Sequence, residues 1–134
     1  MNQAQDKPVP AYEDIPGTLV FDANRSRQGF WLNQFCMSLM KDENRQEFRA
    51  DEPKYLDKFP MTEAQRQSIL KRDWNGMLTE GGNIYFTAKL AATDALSFQH
   101  IAALMSGVTQ PEYAAMMLAG GRSIEGNRSK SEKK

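Results

Sequence analysis

The feature that most constrains this chain is how often it tells a helix to stop and another to start. Thr62 and Gln65 form a capping box, in which each side chain satisfies a free backbone amide of the other's residue. Gly81 and Gly82 stop the helix that follows, because glycine enters the left-handed conformation without a Cβ penalty. Asn83 caps the next helix, Thr93–Ala95 break it, Ser97 caps another and Gly107 closes that one. Thr109 and Glu112 make a second capping box, with Pro111 tolerated in the first turn, and Gly120 and Gly121 end the last helix. Punctuation at this density allows helices of only a few turns each.

The apolar residues between these signals recur at helical spacing. A first helix is expected from Asp22, a good N-cap, to Met40, with Leu32, Phe35, Cys36, Leu39 and Met40 on one side and Gly29 as a weak point within it. Further helices are expected over residues 43–50 and, starting at Asp51 and Glu52, through Tyr55, Leu56 and Phe59. After the first capping box, Ile69, Leu70, Trp74, Met77 and Leu78 share one face. Leu19–Phe21 is the best β candidate, and it is short. The fold class is therefore all-α, a single small domain of about six short helices joined by tight connections. Residues 1–17 carry Pro8, Pro10 and Pro16 and are expected to be an extended arm. The helical domain is expected over 18–121, and residues 122–134 are expected to be a mobile charged tail.

One histidine (His100) and one cysteine (Cys36) in 134 residues leave little chemistry to this chain alone. Zinc sites take three or four protein ligands, and non-haem iron sites commonly take two histidines and a carboxylate. Cys36 sits among Leu32, Phe35, Leu39 and Met40, where a thiol is a small hydrophobe rather than a nucleophile. Glu43, Glu47, Asp51 and Glu52 alternate with Lys41, Arg45 and Arg49, the pattern of a solvated helix face. The glycine pairs lack the lysine of a phosphate loop and the three-glycine fingerprint of a dinucleotide fold. No catalytic residue and no metal ligand is expected here. Charge is balanced overall, with an excess of basic residues from Arg122 onward, so the folded part lacks the basic face of a nucleic-acid binder. No apolar run approaches the roughly 18 residues of a membrane span. Met1–Pro10 lack the basic start and apolar centre of a secretory signal, so a cytoplasmic location is expected. The eight methionines and the set Phe30, Trp31, Phe35, Trp74, Tyr85, Phe86 and Phe98 are generous for a chain this short and point to a partner interface.

Several segments, taken in order, resemble a known family: Asp14–Thr18, Leu32–Phe35, Met37–Lys41, Glu43–Arg45, Glu80–Asn83, Tyr85-Phe86, Ser97–Gln99, Glu112-Tyr113, Met116-Met117 and Gly120–Ser123. Together they are similar to the small (α) subunits of protocatechuate 4,5-dioxygenases, type II extradiol enzymes of aromatic and lignin-derived compound catabolism. The resemblance implies a helical, non-catalytic subunit that covers the active-site mouth of a catalytic β subunit in an α2β2 assembly. It implies Fe(II) held by two His and one Glu of the β subunit, which also carries the catalytic His base, with no cofactor in this chain. It implies cleavage of protocatechuate at the 4,5 bond with O2, giving 4-carboxy-2-hydroxymuconate semialdehyde. The family's lid phenylalanine corresponds to Phe98, which places Ser97, Phe98 and His100 at the substrate-cavity lid. His100 departs from the family pattern and leaves gallate or another hydroxybenzoate open as substrate. Related segments also occur fused to catalytic domains. The alternative reading is a free-standing helical binding or regulatory module with no catalytic companion.

Overall fold

The computed structural model describes residues 19–121. The arm 1–17, the tail 122–134, and the matching segments at Asp14–Thr18 and beyond Gly121 lie outside the described residues. Within Phe21–Gly121, one compact unit, nine α-helices follow one another, with no strand among the described residues. They are α1 (Ala23–Gln28), α2 (Phe30–Ser38), α3 (Asp42–Ala50), α4 (Glu52–Leu56), α5 (Glu63–Leu70), α6 (Trp74–Thr79), α7 (Ile84–Thr93), α8 (Phe98–Ser106) and α9 (Gln110–Leu118). The all-α reading holds. The β candidate Leu19–Phe21 has no regular structure. None of these helices is long and apolar enough to cross a membrane.

The local signals act as read. Asp22 Oδ1 accepts from the Arg25 amide at 3.0 Å, Asn83 Oδ1 from Tyr85 at 2.9 Å and Ser97 Oγ from His100 at 3.0 Å. Both capping boxes close in both directions. Gly107 ends α8 in the left-handed conformation.

Nine helices form rather than about six, in part because two expected helices are each broken by a long-range demand. The first break is at Gly29. A Cβ on Gly29 would lie 2.0 Å from the carbonyl oxygen of Gly81, so the two backbones are in direct contact and only glycine fits. Gly81 has φ +98°, and a Cβ there would meet the Gly29 nitrogen at 2.5 Å. Two buried amides fasten this junction. Asn33 donates to the Gly81 carbonyl at 3.1 Å and accepts from the Asn83 amide at 2.9 Å. Gln65 donates to the carbonyls of Gln28 at 2.7 Å and Glu80 at 3.0 Å, while its oxygen serves the capping box. The Gly81 carbonyl is buried here, and leaving such a group without a partner costs about 1–3 kcal/mol.

The second break is at Arg72, which has φ +52°. That turn separates α5 from α6 and aims the guanidinium at two carboxylates. Arg72 meets Glu52 at 2.8 and 3.0 Å and Asp94 at 2.6 and 3.1 Å, donates to the Ile69 carbonyl at 2.7 Å, and lies over the Phe48 ring. Burial alone would lower the affinity of the guanidinium for its proton, but the hydrogen bonds and charges of Asp94 and Glu52 outweigh it and raise the pKa. Because all three side chains are at least two-thirds covered, Arg72→Met is expected to cost roughly 3 kcal/mol, leaving two half-buried carboxylates unpaired. A lowered urea midpoint with an unchanged slope would check this.

The core is centred on α2. Leu32, Phe35, Cys36 and Leu39 are fully or almost fully buried, against Phe48, Tyr55, Leu56, Ile69, Trp74, Met77, Leu90 and Ile101. Phe35 sits at the middle of a ring cluster, with centroids 5.1 Å from Phe48, 6.0 Å from Tyr55 and 5.8 Å from Phe59. The Tyr55 hydroxyl is satisfied by Ser38 at 2.7 Å. The charged run of α3, expected to be a solvated face, is partly used for tertiary ties. Arg45 donates to the Leu39 carbonyl at 2.8 Å and the Met40 carbonyl at 3.1 Å, and Arg49 reaches the Thr93 carbonyl at 2.7 Å.

Candidate functional site

Helices α7 and α8 meet at an angle set by the Thr93–Ser97 connection, in which Ala95 takes φ +61°. The meeting is not filled. A pocket of about 130 Å³ lies between them, lined by Ile84, Ala88, Ala91, Ala92, Leu96, Phe98 and Ile101. Every lining residue is apolar. The cause is visible along α7, where Ile84, Ala88 and Ala91/Ala92 recur at about one-turn intervals and three of the four are alanine. Small side chains there leave a trough instead of a packed helix–helix contact. In size it is close to a cavity that holds one benzene-sized ring.

Phe98 stands at the first position of α8 and forms one wall of this pocket, yet it remains 63% exposed. Tyr85, at the N-terminal end of α7, is 78% exposed. Aromatic rings held in water on a rigid helix start are what a contact surface presents. Ser97 and His100 do not line the pocket. The Ser97 hydroxyl is engaged as the cap of α8, which fixes where Phe98 begins. His100 is half-buried and lies two residues beyond Phe98, a spacing that puts two side chains on different faces of a helix. The residues that sequence reading missed are those of α7. Their signal was the spacing of Ile84, Ala88 and Ala92, which reads equally well as a buried stripe.

Next to this pocket runs a wider groove where the end of α2 passes α7. It is lined by Leu39, Met40, Arg45, Lys89 and Ala92. Ala92 borders both, so pocket and groove are neighbours.

The lone cysteine is not placed to act as a nucleophile. Cys36 is wholly buried, and desolvation raises its thiol pKa far above the ordinary range, so no thiolate forms near neutral pH. No group of three or more His, Cys, Asp or Glu side chains among the described residues is placed to hold a metal ion. Iron of the kind the resemblance implies therefore does not fit this chain's own described side chains.

A family model described as the LigA subunit of the aromatic-ring-opening dioxygenase LigAB matches residues 32–118, from the first turn of α2 to the end of α9. The chain is also similar to the gallate dioxygenase of Pseudomonas putida (strain KT2440), with 27% identity over 95 residues. That match covers 71% of this chain and 28% of the relative, so this chain spans little more than a quarter of the relative's length.

Proposed function

The chain belongs to the LigA-subunit family of aromatic-ring-opening dioxygenases, and from that premise we propose that it is the lid subunit of an extradiol enzyme that cleaves protocatechuate at the 4,5 bond. One observation carries the reading: within the family-matched region, Phe98 is held in solvent on the wall of an apolar, ring-sized pocket. A large ring left exposed on a capped helix start contributes little to folding and much to whatever surface covers it. The catalytic β subunit, in an α2β2 assembly in the cytoplasm, holds the Fe(II) and the acid–base residues. This chain supplies an apolar ceiling that excludes water from the aromatic ring and its oxygenated products. Phe98 bounds the ring, Ser97 fixes the helix start beneath it, and His100 sits on the adjacent face of α8. A second reading, gallate as the substrate, is supported by the similarity to the Pseudomonas gallate dioxygenase and changes the substrate rather than the role.

The test is reconstitution. The purified chain alone is expected to cleave neither acid, and co-expression with its larger partner to give the yellow semialdehyde from protocatechuate. Turnover by the chain alone, or a native mass showing only monomer or homodimer when the partner is present, would overturn the proposal. In the assembled enzyme, Phe98→Ala is expected to alter KM or the protocatechuate-to-gallate preference by about tenfold, the worth of one partly buried ring. Cys36→Ala should leave that preference unchanged. His100→Phe should shift it less than Phe98→Ala does.

A further inference from the structure

The groove beside the Phe98 pocket holds two cations, and they are not in the same state. The Arg45 guanidinium is engaged by the carbonyls of Leu39 and Met40, at 2.8 and 3.1 Å, and by Asp42 at 3.2 Å. Lys89 is half-buried on α7 and forms no ion pair or side-chain hydrogen bond with any described residue. The side chains that line the groove with it, Leu39, Met40, Arg45 and Ala92, include no carboxylate. A charge part-way out of water with no partner lacks compensation that a carboxylate would supply. Ala92, one turn beyond Lys89, is shared with the pocket that Phe98 walls. The flexible four-carbon stem of a lysine spans such a distance along apolar surface with its head left in the polar layer.

We propose that Lys89 is the positioning cation of this subunit, binding the ring carboxylate of an aromatic acid whose ring lies against Phe98. The pocket is wholly apolar and of ring size, so it discriminates between aromatic rings only by shape. The unpaired ammonium does not line the pocket but the adjoining groove, and from there it adds the discrimination that shape lacks, between an aromatic acid and a neutral catechol. This rests on the lid reading above and gives that lid a role in selectivity beyond excluding water.

The experiment uses the assembled enzyme with Lys89→Gln and Lys89→Arg. It measures KM and kcat for protocatechuate, and Ki for 4-methylcatechol, which keeps the ring diol and replaces the carboxylate with a methyl group. Lys89→Gln is expected to raise KM about tenfold or more, the usual effect of losing a hydrogen bond to a charged group. It should leave kcat within about threefold and Ki within about twofold, and Lys89→Arg should return KM to within about threefold of the wild type. KM and Ki rising together, or neither moving, would overturn the proposal. So would loss of assembly by native mass for Lys89→Gln, which would assign the ammonium to a carboxylate of the partner chain. A wild-type assembly that turns over neither protocatechuate nor gallate would instead defeat the lid reading itself.

Discussion

Gly29→Ala is expected to lower the stability of the chain by roughly 3 kcal/mol or more, measured as a drop in the urea midpoint of the purified protein. The added carbon would lie 2.0 Å from the Gly81 carbonyl oxygen, and that neighbour is backbone, so no side-chain rotation relieves the overlap. Separating the two strands of backbone also stretches the bonds from Asn33 to Gly81 and Asn83 and from Gln65 to Gln28 and Glu80. The control is Gly107→Ala. Gly107 has φ +74° but open space around its Cα, so it should lose only the roughly 1–2 kcal/mol of a non-glycine residue in the left-handed region. Equal losses at the two positions would refute the close-approach argument, since conformational preference would then account for both.

The second large effect concerns two phenylalanines of opposite placement. Phe35→Ala is expected to cost about 3–5 kcal/mol, because Phe35 is fully buried at the centre of a cluster with Phe48, Tyr55 and Phe59 and its removal leaves a cavity these rings cannot close. Phe98→Ala should change stability by no more than about 0.5 kcal/mol, since most of the ring is already in water. Denaturant unfolding of both variants, set beside their activity in the assembled enzyme, separates a folding ring from a contact ring. A Phe98→Ala variant as unstable as Phe35→Ala would place Phe98 in the core and remove the basis for the lid.

Much of this was legible from residue order alone, and the reason is range. Capping is decided within four residues, so Asp22, Thr62–Gln65, Asn83, Ser97 and Thr109–Glu112 could be read directly, and each is seen to act. The burial of Leu32, Phe35, Cys36, Leu39, Ile69 and Met77 followed from spacing. Harder positions were those where the same pattern has two outcomes. Phe30, Trp31, Met37 and Met40 carry helical spacing suited to a core, yet they remain substantially exposed. Spacing gives a face, and whether another helix covers that face depends on where the chain returns.

The helix punctuation by itself determined that this chain folds as a succession of short helices, and the single histidine and single cysteine determined that it cannot supply two histidine ligands or an internal disulfide. Only the tertiary structure decided that Gly29 breaks a helix instead of weakening one, because Gly81, 52 positions later, lies against it. Only the tertiary structure decided that Arg72 turns the chain, because Glu52 and Asp94 arrive there from different helices. The pocket between α7 and α8 belongs to the same class. Alanines at Ala88, Ala91 and Ala92 permit either a close helix contact or a trough, and the packing of α8 leaves the trough open beside Phe98. Local hydrogen bonds are fixed by neighbours in sequence, whereas cover and close approach are fixed by neighbours in space.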